Sequence, residues 1–235
     1  MKDQYFGDIN DYLKYGILRL FSRAGFQIGI CWMMTSSDGR TDGRKINYLA
    51  RPERWRHYDP ELFDYLVTAV ERVRSVRQIQ TPTILPNCAF YNDPVPDSHD
   101  LRRTWTTKAL KKFSNVDLLF FDPDNGIEVR SRRPGTRGSS KFVYWAEIEA
   151  AWSQHCSLLI FQHFPRQNRL QYISRLTQEV SKRLVSAEVV PISTSNVVYI
   201  MAHQPQHKIK AQQAIDSIVN TWLDKVRTGT RVECL

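Results

Sequence analysis

The sequence predicts a three-layer α/β domain built on a mostly parallel sheet, spanning residues 1–235 as a single unit. Short apolar runs alternate with longer amphipathic segments along the chain. The last two apolar runs are separated only by residues 194–196, which predicts an antiparallel hairpin at the end of the sheet. No internal repeat, low-complexity segment or linker divides the chain, and 235 residues are enough to bury a sizeable core.

The first half of the chain is predicted to open with a helix that leads into a buried strand. Leu13, Ile17 and Leu20 form one apolar helical face, and Gly25 ends the helix. The predicted elements of this half are a helix over about 9–24, a strand over 27–34, a polar glycine-containing loop over 35–45, a helix starting near Asp59-Pro60, and strands over 75–80 and 88–91.

The second half is dominated by an apolar run over 116–121 that stops at the polar turn Asp122-Pro123-Asp124-Asn125-Gly126. Such a stop is typical of a central parallel strand whose carboxyl end lines a site. The predicted elements are helices over about 100–113, 145–152 and 167–184, strands over 116–121, 157–162, 187–193 and 197–203, and a closing helix with the face Ile215, Ile218, Val219, Trp222, Leu223 and Val226.

Composition indicates a basic globular protein. Lys and Arg number 33 against 24 Asp and Glu, and the formal net charge of +9 favours a polyanionic partner, although a basic, merely solvated surface is the alternative. The four cysteines lie far apart without a C-x-x-C pair, which indicates reduced thiols and predicts a cytoplasmic location. No segment has eighteen uninterrupted apolar residues, so no membrane association is expected.

The polar turn at the end of the 116–121 strand is the strongest candidate for a catalytic site. A carboxylate there can accept a hydrogen bond from a substrate amine and orient the nitrogen lone pair for attack. The alternative is a structural turn in which Asp and Asn bond their own backbone. The expected catalytic residues are Asp122, Pro123, Asp124 and Asn125.

Two segments resemble amino-directed S-adenosylmethionine-dependent methyltransferases. Asp122-Pro123 after a strand is similar to their Asp-Pro-Pro-aromatic motif. Residues Phe6 to Tyr15 (FGDINDYLKY) resemble the Gly-Asn-x-Ala-Asp-x-Leu-Lys-His stretch of the large-subunit ribosomal RNA adenine methyltransferases, which act on an exocyclic amine. The resemblance implies a Rossmann-like class I methyltransferase fold, S-adenosylmethionine as cofactor, and an amino group of nucleic acid, RNA or DNA, as substrate.

The resemblance also implies roles for individual residues. Asp38 and Gly39 are expected near the methionine end of the cofactor and Asp93 near its adenine, while Lys14 matches the lysine that faces nucleic acid. The full cofactor-side set is Asn10, Tyr15, Thr35, Asp38, Gly39 and Asp93. The chain departs from the family pattern at Asp124 and Asn125, at Tyr15, and in the absence of a G-x-G fingerprint from residues 35 to 45.

A basic loop follows the Asp122 turn and contains no acid from Arg130 to Lys141. Its cations can follow a phosphate backbone or simply solvate a loop. His163 ends the neighbouring strand and is either a substrate-positioning or a structural residue. The expected nucleic-acid contacts are Lys14, Arg130, Arg132, Arg133 and His163.

Two other functions explain the same residues. Asp122, Asp124, Asn125 and Glu128, joined by Asp8 and His163, offer oxygen and nitrogen ligands for a Mg²⁺ ion in phosphodiester hydrolysis. A non-catalytic nucleic-acid-binding module on the same fold is the third hypothesis. The sequence favours the methyltransferase and commits to no metal site.

Overall fold

The computed structural model describes residues 1–36 and 45–229 and has helices packed on both faces of a central sheet. Its α-helices are α1 (Ile9–Arg23), α2 (Pro52–Trp55), α3 (Pro60–Arg72), α4 (His99–Lys112), α5 (Trp145–Trp152), α6 (Arg169–Arg183) and α7 (Lys208–Thr221). Its strands are β1 (Ile28–Cys31), β2 (Cys88–Tyr91), β3 (Leu118–Phe121), β4 (Gly126–Ile127), β5 (Phe142–Val143), β6 (Ser157–His163), β7 (Glu188–Ser193), β8 (Val197–His203) and β9 (Arg227–Thr228).

The central sheet has seven strands in the order β2-β1-β3-β6-β8-β7-β9. Strands β2, β1, β3 and β6 pair in parallel, whereas β8 lies antiparallel between β6 and β7. The predicted α/β class, mostly parallel sheet and terminal hairpin are therefore confirmed. Strands β4 and β5 form a separate two-stranded parallel sheet.

Side chains alternate between two hydrophobic clusters, one on each face of the sheet, as the period of a strand requires. Leu118 and Phe120 of β3 join a cluster that contains the inner faces of α1, α3 and α7. Leu119 and Phe121 join a second cluster, to which α4, α5 and α6 contribute. Because both faces of β3 are covered, the strand is apolar throughout, and polar residues begin only after its carboxyl end.

Helix α1 is buried along most of its length, including the charged residues Asp11, Lys14 and Arg19. The Asp8 carboxylate caps the helix by accepting from the amides of Asn10 and Asp11, both at 2.9 Å. Gly16 allows the close approach of Trp222, since a Cβ at this position would lie 2.4 Å from the indole ring. The small residue therefore sets how closely α1 packs against the segment after α7.

Most predicted elements are confirmed within a few residues, but the strand predicted over 75–80 is wrong. Val76–Ile79 form a 3-10 helix. The Val76 amide donates to Asp3 Oδ1 at 2.8 Å and the Arg77 amide to Ser75 Oγ at 3.4 Å, so side chains satisfy donors that a strand would pair. The two-residue strands β4, β5 and β9 were not predicted, because segments this short have no periodicity.

No helix among residues 1–36 and 45–229 is long and apolar enough to cross a membrane. Cys31, Cys88 and Cys156 are free thiols, and Cys234 lies outside the described residues.

Candidate functional site

A cavity of about 330 Å³ opens at the carboxyl ends of β3 and β6. Its walls are the start of α1, the amino-terminal segment, the Asp122 turn and the end of β6. The lining residues are Met1, Lys2, Tyr5, Asp8, Asn10, Asp11, Lys14, Lys45, Asp122, Pro123, Asp124, Asn125, Lys141, Phe161 and His163. The cavity brings together all four predicted catalytic residues, Lys14 and His163.

The centre of the cavity wall is an ion-pair network around Lys14. Its ammonium donates to Asp122 Oδ2 and to Asp11 Oδ1, both at 2.9 Å. The Lys14 and Asp122 side chains are 3% and 2% exposed. The Lys14 ammonium also lies 4.9 Å from the centre of the Phe161 ring, so an aromatic face covers one side of the cation.

Burial and charge act against each other in this network. Burial alone would lower the pKa of Lys14, but the carboxylates of Asp11 and Asp122 outweigh it and raise that pKa, which keeps the side chain cationic. Burial raises the pKa of Asp122, an effect that the Lys14 ammonium opposes. Burial and the neighbouring charge of Asp11 raise the pKa of Asp8 to about 7, against amide hydrogen bonds that lower it.

Asp124 lies on the other side of the turn and has its own partners. The Thr35 hydroxyl donates to Asp124 Oδ2 at 2.6 Å, and the amino group of Met1 lies 2.6 Å from Oδ1. Burial would raise the pKa of Asp124, but the Met1 amino group, the Thr35 hydroxyl and the Lys2 ammonium together outweigh it and lower the pKa. Asp122 and Asp124 are therefore separated by their partners, one facing α1 and the other the amino-terminal segment.

Gln162 of β6 fixes the backbone that follows the two carboxylates. Its side chain donates to the Asn125 carbonyl at 3.3 Å and accepts from the Ile127 amide at 2.7 Å. Gly126 between them has φ +112°, and a Cβ there would lie 2.2 Å from Gln162 Oε1. The turn therefore requires glycine both for its backbone conformation and for the close approach of Gln162.

His163 lies at the mouth of the cavity, one residue after Gln162, because β3 and β6 are neighbouring strands. Its ring packs edge-on against Phe161, with ring centres 4.9 Å apart. Desolvation and the nearby Lys14 cation lower the pKa of His163 to about 4. The ring is therefore neutral at pH 7 and can accept a hydrogen bond.

The residues that the resemblance assigns to the cofactor are only partly brought together. Asn10 lines the cavity. Thr35 does not line it, but its hydroxyl donates to Asp124, which does. Tyr15 is fully buried and donates to Asp11 Oδ2 at 2.8 Å, so its side chain supports the network from behind and does not reach the cavity. Asp93 is exposed after β2 and lies outside the cavity lining. Asp38 and Gly39 lie outside the described residues.

The basic loop is directed away from the cavity. Arg130, Arg132 and Arg133 are exposed, and none of them lines the cavity. Lys141, at the end of the loop, does line the cavity. Arg130 instead lines a separate groove. The Asp97 carboxylate holds the end of the loop by accepting from the amides of Gly138 at 2.8 Å and Ser140 at 2.7 Å.

Glu128, the third carboxylate of the metal hypothesis, is used elsewhere. It accepts from the Trp145 amide at 2.8 Å, at the first turn of α5, and it does not line the cavity. Across residues 1–36 and 45–229, no group of three or more His, Cys, Asp or Glu side chains has the arrangement to hold a metal ion.

Several cavity residues were not predicted from the sequence. Asp11 was within reach of sequence reasoning, since it stands three residues before Lys14 and therefore on the same helical face. Phe161 was also within reach, since it stands two residues before His163 and therefore on the same face of β6. Lys45 carries no comparable signal, because it reaches the cavity only through the packing of distant segments.

In comparisons with known proteins, no family model, no curated protein and no solved structure matches the chain.

Proposed function

We propose that this protein is an S-adenosylmethionine-dependent methyltransferase that acts on an amino group of nucleic acid. The observation that carries the proposal is the hydrogen bond between Lys14 Nζ and Asp122 Oδ2 at 2.9 Å. It joins the two segments that resemble the methyltransferase motifs, although they are 108 residues apart. The two segments meet at the carboxyl end of a central parallel strand, which is the end at which open α/β sheets bind ligands.

The strand order supports the proposal independently of these residues. Class I methyltransferase-like domains end with an antiparallel hairpin after a parallel sheet, and simple doubly wound nucleotide-binding folds do not. Here β8 is inserted antiparallel between β6 and β7. The likeness is one of architecture, and the functional proposal depends on the cavity.

The charges of the cavity fit one end of the cofactor. S-adenosylmethionine, when bound, supplies an electrophilic methyl group on a sulfonium. The cavity lining carries both signs of charge, with carboxylates at Asp8, Asp11 and Asp124 and ammoniums at Lys2 and Lys45. Binding of the methionine end therefore requires the ammonium and carboxylate of the cofactor to exchange with ion pairs already present there. Asp93, the residue that the resemblance assigns to the adenine, lies after β2 and outside this cavity.

Asp122 is proposed to orient the target amine. Lys14 donates to its carboxylate at Oδ2, and the amine N–H is proposed to donate to Oδ1. Pro123 has no N–H to compete for the same acceptors, and Asp124 and Asn125 shape the mouth of the cavity. Neutral His163 offers a second acceptor at the rim. These residues are proposed to position the target amine.

The metal-dependent nuclease is less well supported because its carboxylates have other partners. Glu128 is bound to the first turn of α5, Asp122 to Lys14, and Asp124 to Thr35 and the amino group of Met1. A metal ion would have to replace the ammonium groups of Lys14, Met1 and Lys2 before it could bind both aspartates.

The proposal is tested by incubating the protein with methyl-labelled S-adenosylmethionine and single-stranded or duplex RNA and DNA. We expect label in one nucleic acid, on an exocyclic amine identified after digestion to nucleosides. A parallel reaction with Mg²⁺ and no cofactor measures strand cleavage. Cleavage without methylation would contradict the proposal in favour of the nuclease, and binding without either reaction would favour the non-catalytic module.

A further inference from the structure

A second depression of about 630 Å³ lies on the other side of the Asp122 turn from the cavity. We call it the arginine groove. It runs between the strand segment after the turn, the beginning of α5 and the outer face of α6. Its charged and aromatic lining residues are Glu128, Arg130, Trp145, Tyr172, Arg175, Glu179 and Arg183.

The cavity and the arginine groove share one wall. Asp124 and Asn125 line the cavity, and Ile127 to Arg130 line the groove. Gln162 fixes this segment by hydrogen bonds to the Asn125 carbonyl and the Ile127 amide. The cavity and the groove are therefore adjacent along one short, fixed segment of the chain.

The cations of the groove differ in whether they are already paired. Arg183 donates to Glu149 at 3.0 Å and to Glu179, the acid of the α6 face, at 3.4 Å, and its guanidinium lies 4.5 Å from the centre of the Trp145 ring. Arg175 donates only to the neutral side chain of Gln167, at 3.2 Å, among the described residues. Arg130 is exposed and has no acidic partner in the described part of the chain. Arg130 and Arg175 are therefore cations available to an anionic ligand.

An aromatic ring lies beside one of these cations. Tyr172 is half-buried beside Arg175, whose guanidinium is 5.7 Å from the ring centre, and it packs edge-on against Phe164. Guanidinium groups interleaved with aromatic rings are typical of surfaces that bind phosphates and stack unpaired bases. An acidic peptide would use the cations but would not stack on the Tyr172 ring.

We propose that the arginine groove binds the single-stranded nucleotides next to the target nucleotide, with phosphates at Arg130 and Arg175 and a base against Tyr172. This inference rests on the proposed function for its target nucleotide. A base must leave a duplex stack to enter a closed pocket such as the neighbouring cavity, and flanking nucleotides are then held most readily as a single strand.

The test measures binding of a fluorescein-labelled single strand of roughly 12 nucleotides, as RNA and as DNA, by fluorescence anisotropy over a range of salt. The double variant R130Q/R175Q is compared with R103Q/K108Q, which removes two exposed cations from α4, outside the groove. Loss of two phosphate contacts is expected to weaken binding about tenfold or more at low salt and to reduce the log–log salt slope by about 1.4. The α4 variant is expected to bind as the wild type does.

Tyr172→Leu tests the stacking contact, because leucine keeps the apolar packing against Phe164 without a flat face. Single-strand affinity is expected to fall about fivefold or more, while duplex affinity is unchanged. Wild-type affinity in both groove variants would overturn the inference. So would displacement of the oligonucleotide by a polyglutamate peptide at lower concentration than by unlabelled strand.

Failure of this inference is distinguishable from failure of the proposed function. Calorimetry with S-adenosylmethionine measures the cavity alone, and R130Q/R175Q is expected to bind the cofactor as tightly as the wild type. Strand binding through the groove without methyl transfer contradicts the proposed function and supports the groove. Methyl transfer with an unchanged KM for the strand in R130Q/R175Q contradicts the groove.

Discussion

The cavity and the arginine groove both display many charges, but these charges are held in opposite ways. In the cavity Lys14 and Asp122 are 3% and 2% exposed and lie 2.9 Å apart. In the groove Arg130 is exposed and without an acidic partner among the described residues. Buried pairs fix positions because breaking one leaves an uncompensated charge, whereas exposed cations supply affinity that salt screens. The comparison assigns orientation of the reacting group to the cavity and attachment of the polymer to the groove.

The largest effect is expected from Lys14→Met, which keeps the apolar stem and removes the ammonium. Asp11 and Asp122 would then be buried without their cation. Removing one partner of a buried ion pair costs about 3–5 kcal/mol of unfolding free energy, measurable by urea denaturation followed by circular dichroism.

Arg56→Gln is the matched control for that substitution. Arg56 pairs with Asp64 at 2.7 Å, but both side chains are about half exposed. We expect no resolvable change in the denaturation midpoint. Equal effects of the two substitutions would contradict the assignment of Lys14 to a buried, position-fixing pair.

Asp122→Asn is expected to lower methyl transfer about 100-fold or more, because an amide orients a neighbouring amine less well than a carboxylate does. The substitution keeps the size of the side chain, and Lys14 keeps Asp11 as a partner. Single-turnover assays measure the transfer step, and calorimetry checks that cofactor affinity is retained. Turnover close to that of the wild type would show that another acceptor orients the amine.

Asp8 predicts a pH dependence of stability. Its folded pKa of about 7 exceeds its ordinary value of 3.8, so the folded state binds the extra proton between these values. The unfolding free energy should therefore fall as pH rises through this window, on the order of 1 kcal/mol per pH unit. Asp8→Asn keeps an efficient helix cap and should remove that slope. An identical pH profile for the variant and the wild type would exclude Asp8 as its source.

The smallest effect is expected from Asp97→Ala, which releases the end of the basic loop. The carboxylate accepts from the Gly138 and Ser140 amides, and these hydrogen bonds are among the causes that lower the pKa of Asp97 below its ordinary value, against its burial. A loss of about 1 kcal/mol is expected, with faster amide hydrogen exchange at those two residues. Exchange at the wild-type rate would mean that other contacts hold the loop.

The sequence was sufficient to predict those elements and site residues that are marked by a local pattern of apolar and polar residues. The spacing of Leu13, Ile17 and Leu20 predicted α1, and the apolar run that stops at Asp122 predicted the strand whose end lines the cavity. His163 beside the turn followed from neighbouring strands.

The rest depended on how distant segments pack. Tyr15 matches a family position but faces inward behind Asp11, because the helix face toward the cavity is set by the sheet beneath it. The direction of the basic loop depends on the hydrogen bonds by which Asp97 holds its end. Neither the insertion of β8 between β6 and β7 nor the contact of Gln162 with Gly126 has a signal in local periodicity.

The central claim is that the cavity between Lys14, Asp122 and His163 serves an S-adenosylmethionine-dependent transfer. Calorimetric titration of the full chain with S-adenosylmethionine tests it most directly, with S-adenosylhomocysteine as competitor. We predict saturable binding of one cofactor per chain, competed by S-adenosylhomocysteine and retained in Asp122→Asn. No binding heat at millimolar cofactor, in a sample whose folding is verified by circular dichroism, would contradict the claim.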